Sequence, residues 1–162
     1  MFSISTLNMK LSRKMKKTAG FVDLVLEFQD TFIILELKYL SLAYANSLGG
    51  LLSLKNPTFA QRKANWKVLE TRKEKFKQLS LDEKNKIQFQ LKDDDRKIRI
   101  ELVTQNISFT VATTGLFTFV TAPAMMKLAL IQAKNYDIST NKKIVRYAVI
   151  GYGTSVIFEK EV

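Results

Sequence analysis

The chain has 162 residues, of which 46 % are hydrophobic and 25 % charged, a composition typical of one globular domain. It contains neither cysteine nor histidine, which excludes disulfides, zinc sites built on thiolate or imidazole, and nucleophilic centres that need Cys or a Ser–His pair. Any metal must therefore be bound by oxygen. The 26 basic and 15 acidic residues give a net charge of +11, which favours a polyanionic partner such as nucleic acid or an anionic lipid surface.

The N-terminal segment is basic, and no acidic residue precedes Asp23. Two interpretations are open for its cluster of charges: a solvated edge, or an arm that contacts phosphates, since Lys and Arg supply most of the affinity for nucleic acid. The segment also lacks the apolar region of a secretory signal, which predicts a cytoplasmic protein. The clustered residues are Lys10, Arg13, Lys14, Lys16 and Lys17.

Residues 20–38, GFVDLVLEFQDTFIILELK, consist of two apolar runs separated by Gln29 and Asp30. This pattern predicts a β-hairpin with its turn at those two residues. In that register Asp23 lies directly opposite Glu36, and Lys38 follows on the same face. A loop one residue longer would move every side chain of one strand to the other face.

Asp23 and Glu36 are an unusual pair, because like charges on facing strand residues are destabilising. Two carboxylates that face each other can, however, share one Mg²⁺ or Mn²⁺ ion, which takes oxygen ligands together with waters and phosphates. Lys38 would then orient a water or hold a phosphate oxygen. The hairpin therefore predicts a metal site with Asp23 and Glu36 as ligands.

A helix is predicted from Asn56, as its N-cap, and Pro57 to about Leu79. Its apolar residues form one narrow stripe, which predicts a core-facing side. The rest of the helix is mostly basic and is either a solvated packing surface or a nucleic-acid contact, with Arg62, Lys63 and Lys67 as the candidates. The stripe consists of Phe59, Trp66, Leu69, Phe76 and Leu79.

Further along, residues 93–95 are three aspartates, which we interpret as a solvated turn. KIRIELV, residues 97–103, alternates as a half-buried strand, and a second strand is predicted near ISFTVAT, residues 107–113. The uncharged run 102–126 is nominally long enough to span a membrane, but its threonines and Pro123 favour a buried strand that leads into a helix.

Pro123 is predicted at the first position of the helix that follows. Gln132 and Tyr136, four residues apart, are expected to share one face of it. Two strands, IVRYAVIGYG and TSVIFEKEV, should end the chain.

The order G-x-x-D, then E-x-K at a strand end, resembles the PD-(D/E)xK nuclease superfamily. GFVDLVLEF followed by IILELKY is similar to the nuclease-like C-terminal domain of bacterial AAA-ATPase-like proteins, in which a Q-x-x-x-Y helix and an apolar strand with an I-G pattern follow. Gln132, Tyr136 and KKIVRYAVIGYG match that order. Val22 replaces the superfamily's proline, and the helical glutamate that often precedes the first aspartate is absent.

The resemblance implies an α/β (α+β) fold: a restriction-endonuclease-like core with a mixed central sheet flanked by helices. It implies a single domain over residues 1–162, with an insertion at about 40–122.

It also implies a Mg²⁺- or Mn²⁺-dependent nuclease, with DNA as the expected partner. Lys38 would be catalytic beside the metal ligands, and Gln132 and Tyr136 would line the site. Two alternatives remain open: a nucleic-acid-binding module without catalysis, and a membrane-surface or structural interaction protein. A homodimer is compatible with each of them.

Overall fold

The computed structural model describes residues 10–12, 16–17, 20–21, 24–48, 58–91, 95–112, 117–136 and 138–160. It has a mixed α/β fold, which confirms the predicted class. The chain divides into two compact units. The first comprises Met1–Lys38, Ala129–Val149 and Phe158–Val162, and the second comprises Tyr39–Leu128 and Ile150–Ile157.

The strands are β1 (Lys10–Ser12), β2 (Lys16–Lys17), β3 (Gly20–Phe21), β4 (Leu24–Glu27), β5 (Thr31–Leu40), β6 (Phe89–Gln90), β7 (Thr110–Val111), β8 (Thr118–Val120), β9 (Lys143–Tyr152) and β10 (Ser155–Lys160). The helices are α1 (Phe59–Gln78), α2 (Leu81–Lys86), α3 (Asp95–Thr104) and α4 (Ala122–Lys134), with short 3-10 helices at Leu42–Tyr44 and Asn46–Leu48. The largest sheet has the order β1-β4-β5-β9-β10. β2 pairs with β3, and β6, β8 and β7 form a third sheet.

The predicted hairpin is confirmed over its described residues. β4 and β5 are antiparallel, Leu24 faces Leu35, and Glu27 faces Phe32. The amide of Phe28 donates to the carbonyl of Thr31 at 2.8 Å, which closes the turn at Gln29 and Asp30. This is the register on which the predicted metal site depends. Asp23 itself lies outside the described residues.

The core of the first unit is formed by both hairpin strands and the segment that follows α4. Phe32 and Ile34 alternate inward along β5 and pack with Val25 of β4. Tyr136 and Ile138 complete the cluster, and Ile144 packs against it. The final strands β9 and β10, also predicted, follow Tyr136 in the chain.

Helix α1 differs from its prediction at its start and in its buried side. Its N-cap is Thr58, not Asn56, because the Thr58 side chain accepts from the amide of Gln61 at 3.2 Å while Gln61 accepts in return at 2.8 Å. Asn56 and Pro57 lie outside the described residues. The predicted core stripe is wrong in its first half, since Phe59 and Trp66 are exposed and only Phe76 of the five is buried.

Two further elements are corrected. Residues 97–103 belong to helix α3, not to a strand. Leu102 is buried and Ile98, one turn earlier, is half-buried, so the inward-facing residues follow the helical period and not the strand period of two. Asp95 begins this helix, and Asp93 and Asp94 lie outside the described residues. Helix α4 begins at Ala122, one residue before Pro123, where the Thr121 hydroxyl accepts from the amide of Ala124 at 3.3 Å.

The run 102–126 contains the end of α3, strands β7 and β8 and the beginning of α4. Of the two interpretations weighed for it, a strand that leads into a helix is confirmed by β8 and α4. Within the described ranges, no helix combines the length and the apolar content that crossing a bilayer requires.

The core of the second unit is built around Phe76 and Tyr152. Their rings meet edge to face at 5.4 Å between centroids, and Phe89 approaches Tyr152 at 6.5 Å. Gly153 has a φ of 60° and lies beneath Phe76, where a Cβ would come within 2.9 Å of the ring. The sharp turn between β9 and β10 therefore requires glycine at this position.

The phenol of Tyr152 should make stability depend on pH. Its hydroxyl is buried and has no hydrogen-bond partner among the described residues. Burial raises the pKa of Tyr152 above its ordinary value of 10.0. Removing an unpaired hydroxyl is favourable, so Tyr152→Phe should raise the free energy of unfolding by about 1 kcal/mol at pH 7.

Because the folded-state pKa of Tyr152 exceeds the unfolded one, the wild type should lose stability as pH rises above about 10. The variant lacks the phenol and escapes that loss, so the gap between the two proteins should widen from pH 7 to pH 10.5 in urea unfolding. A constant gap would contradict the burial of an unpaired phenol.

Candidate active site

Strand β5 places a carboxylate on the buried side of the hairpin. Phe32, Ile34 and Glu36 alternate inward along it, and Glu36 is only 2 % exposed. A carboxylate at a position suited to an apolar side chain must be compensated, because burying an unpaired charge costs several kcal/mol. The compensation comes from two side chains that together with Glu36 define the Glu36 cluster: Lys38 and Tyr136.

Each oxygen of Glu36 accepts a hydrogen bond within the cluster. The ammonium of Lys38, two residues further along the same face of β5, pairs with Oε1. The hydroxyl of Tyr136 donates to Oε2 at 2.8 Å in a buried contact. Lys38 is half-buried, in contrast to the buried Glu36.

Tyr136 reaches Glu36 from a position that the sequence analysis did not predict. We expected it on the same helix face as Gln132, but α4 ends at Lys134, and Tyr136 lies in the irregular segment beyond it. Arg146 of β9 donates to the carbonyl of Tyr136 at 2.9 Å. Arg146 therefore holds the backbone that carries the hydroxyl. Sequence reasoning missed it, although an arginine inside the apolar strand IVRYAV was a usable signal.

The predicted metal ligands are only partly described. Over the described residues, the hairpin register can be followed outward to the pair Leu24 and Leu35, next to Glu36. Glu36 offers a carboxylate, the ligand type that Mg²⁺ takes, and completion of the site depends on Asp23. Across the described ranges, no group of three or more His, Cys, Asp or Glu side chains is arranged to hold a metal. The described residues therefore provide one of the two predicted Mg²⁺ ligands, the carboxylate of Glu36.

The other site residues predicted from sequence are spread over the fold. Gln132 is half-buried near the end of α4, in the first unit. Lys10 lies on β1, and Lys16 and Lys17 on β2, whereas Arg13 and Lys14 lie outside the described residues. The remaining three are exposed on α1 in the second unit: Arg62, Lys63 and Lys67.

A second lysine–glutamate pair lies in the first unit and differs from the first in burial. Lys142 Nζ contacts Glu27 at 2.7 Å, with both side chains about one third exposed (30 % and 32 %). It also donates to the carbonyl of Phe28 at 2.9 Å, beside the hairpin turn. This pair is a partly exposed structural contact, whereas the carboxylate of Glu36 is buried.

The Glu36 cluster joins two segments 100 residues apart in the chain, the E-x-K strand and the Q-x-x-x-Y segment. These are the two segments on which the resemblance to PD-(D/E)xK nucleases was based. No family model matches the chain, and no curated protein or solved structure is significantly similar to it. Its function is therefore inferred from the chemistry of the cluster and from its charge.

Proposed function

We propose that the protein is a metal-dependent nuclease that hydrolyses phosphodiester bonds in nucleic acid, with DNA as substrate, in the cytoplasm. The observation that carries this proposal is the buried carboxylate of Glu36, which accepts from Lys38 and from Tyr136. Stability alone would favour an apolar residue at that position. A net charge of +11 suits a polyanionic substrate.

In this proposal Glu36 and Asp23 hold Mg²⁺ or Mn²⁺. When bound, the ion would activate a water molecule for attack and neutralise charge on the scissile phosphate. The confirmed register supports the choice of Asp23, because a continuation of it by one step beyond the pair Leu24 and Leu35 would set Asp23 opposite Glu36. Glu27, four residues from Asp23 in the sequence, is engaged by Lys142 and is no part of the proposed site.

Lys38 is the proposed catalytic cation. Its side chain is 26 % exposed while it contacts Glu36, so part of it is open to the solvent from which a phosphate would approach. A lysine so placed orients the attacking water or stabilises the negative charge that develops on the phosphate. Period 2 along the strand keeps it on the same side as the carboxylate.

Tyr136 is a proposed positioning residue. Its hydroxyl fixes one oxygen of Glu36, and the contact of Arg146 with its carbonyl fixes the backbone. A carboxylate held at one oxygen presents a defined direction to a ligand. Gln132, half-buried one turn earlier in the chain, is a proposed lining residue of the same unit.

A nucleic-acid-binding module without catalysis is the second candidate function. It is favoured by one observation, namely that both oxygens of Glu36 already accept hydrogen bonds from protein groups. In that case the cluster is a structural ion pair, and the basic surfaces carry the function.

Cleavage assays with and without metal distinguish the two candidates. Purified protein and the variant Asp23→Ala are incubated with supercoiled plasmid and with single-stranded DNA in Mg²⁺, in Mn²⁺ and in EDTA. We expect the wild type to cut in at least one metal, to be inactive in EDTA, and to lose activity in the variant. Retardation of DNA without cleavage in any metal would instead support the binding module. Cleavage in EDTA would contradict the metal site.

A further inference from the structure

Helix α1 exposes two aromatic side chains that its sequence pattern assigned to the core. Phe59 is 79 % exposed and Trp66 is 62 % exposed. They are seven residues apart, so they lie on the same side of the helix, about 10 Å apart along its axis. Aromatic rings left in solvent on one helix side offer flat surfaces on which nucleic-acid bases can stack.

Basic residues surround these two rings. Arg62 and Lys63 lie between Phe59 and Trp66, one turn from each, and Lys67 follows Trp66 directly. All three are exposed. The five residues Phe59, Arg62, Lys63, Trp66 and Lys67 are called here the aromatic–basic face.

The three cations of this face form no ion pair within their own helix, all of whose residues are described. The two acidic residues of α1, Glu70 and Glu74, both lie in its second half. They contact Lys73 and Lys77 at 2.8 Å each. The first half of α1 therefore presents three cations and no carboxylate of the helix.

We propose that the aromatic–basic face of α1 binds single-stranded nucleic acid. Bases of a single strand can stack on Phe59 and Trp66, while Arg62, Lys63 and Lys67 contact the phosphates between them. This combination of stacking aromatics and a basic surface is the general way in which proteins hold a single strand. In a duplex the bases are already stacked on each other, so the two rings give a preference for the single strand.

The composition of the helix favours this occupant over an anionic membrane. An interfacial helix buries a broad, continuous apolar side. On α1 the two exposed rings are separated by Arg62 and Lys63, and the exposed Val68 lies on another side of the helix. The surface offers rings for stacking and cations for phosphates, but no continuous apolar area.

This inference goes beyond the proposed nuclease activity and does not depend on it. The aromatic–basic face lies in the second unit, and the Glu36 cluster lies in the first. Binding of a single strand without cleavage would leave this inference intact and count against the nuclease. Cleavage of DNA with unchanged Trp66 fluorescence would support the nuclease and count against this inference.

Trp66 provides the measurement, because it is the single tryptophan of the chain. Its fluorescence is followed while the full chain, in EDTA, is titrated with oligo(dT), with a duplex of equal length, and with phosphatidylserine vesicles. We expect strong quenching by oligo(dT) at lower concentration than by the duplex. No quenching by either nucleic acid, or a blue shift with vesicles alone, would overturn the proposal.

Labelled oligo(dT) then separates stacking from charge. Trp66→Ala should weaken binding about 10-fold, whereas the control Val68→Ala, also exposed on α1, should leave the affinity unchanged.

The double variant Arg62→Gln/Lys63→Gln should reduce the slope of log affinity against log salt by about 1.4. The control Lys75→Gln, exposed on another side of the helix, should reduce that slope by less. Circular dichroism verifies that each variant is folded. Equal effects of test and control variants would overturn the proposal.

Discussion

Lys38→Ala should lower the rate of metal-dependent cleavage by about 100-fold or more and leave the protein folded. The ammonium of Lys38 contacts Glu36 on the same face of β5, so its loss removes the proposed catalytic cation. It also takes the cationic partner Lys38 away from the buried carboxylate of Glu36, which lowers stability, so cleavage is measured where the variant is folded. Because the effect is on the chemical step, affinity for DNA should change much less than the rate. Single-turnover cleavage of plasmid in Mg²⁺, together with gel retardation in EDTA, measures the two quantities separately.

Lys142→Ala is the matched control. Lys142 also pairs with a glutamate, Glu27 at 2.7 Å, and it also lies in the first unit. The structure gives it a supporting role beside the hairpin turn, where it donates to the carbonyl of Phe28. Its loss should cost about 1 kcal/mol of stability and leave the cleavage rate unchanged.

The comparison of the two lysine variants separates catalysis from structure. If Lys38→Ala cuts at the wild-type rate, Lys38 has no part in the reaction and the Glu36 cluster is a structural ion pair. If both variants lose activity equally and both are destabilised, the effect comes from the fold of the hairpin. Loss of cleavage in Lys38→Ala alone, measured at a temperature at which circular dichroism shows both variants to be folded, supports the assignment of Lys38.

The hairpin was predictable because its determinants are local. Two apolar runs with Gln29 and Asp30 between them fix the turn, and the turn fixes which residues face each other in β4 and β5. That register puts Glu36 on the same face of β5 as Ile34, whereas the burial of this face is a finding of the structure. The contact between Tyr136 and Glu36 was not predictable from local pattern, because it joins residues 100 positions apart and the tyrosine lies beyond the helix.

The errors in the second unit come from periodicity that was read without its tertiary context. On α1 an apolar spacing of seven and three residues fits a stripe, but the side that packs inward is the one with Arg72 and Phe76. Trp66 is left in solvent as a result. In residues 97–103 the alternation of Ile and charged residues also fits a helix with Ile98 and Leu102 on one side, and the long-range packing selected that alternative.

Removal of Arg72 should cost a large part of the protein's stability. It is only 2 % exposed, and one guanidinium nitrogen donates to the carbonyls of Leu42 at 2.9 Å and Ala43 at 3.2 Å. Burial lowers the pKa of Arg72, which reflects the cost of removing its charge from water. That cost is offset by carbonyls of the 3-10 helix, the groups that a charged donor satisfies best.

Arg72→Ala should therefore reduce the free energy of unfolding by about 3 kcal/mol, because two buried carbonyls lose a charged donor and a cavity remains. Arg72→Lys should recover part of the loss, since an ammonium can serve one of the two carbonyls. Lys75→Ala, exposed on the same helix, should stay within about 0.5 kcal/mol of the wild type. Urea unfolding followed by circular dichroism gives all three values. A change below about 1 kcal/mol in Arg72→Ala would mean that α1 is held to this unit by Phe76 and its aromatic neighbours, with the arginine tolerated and not required.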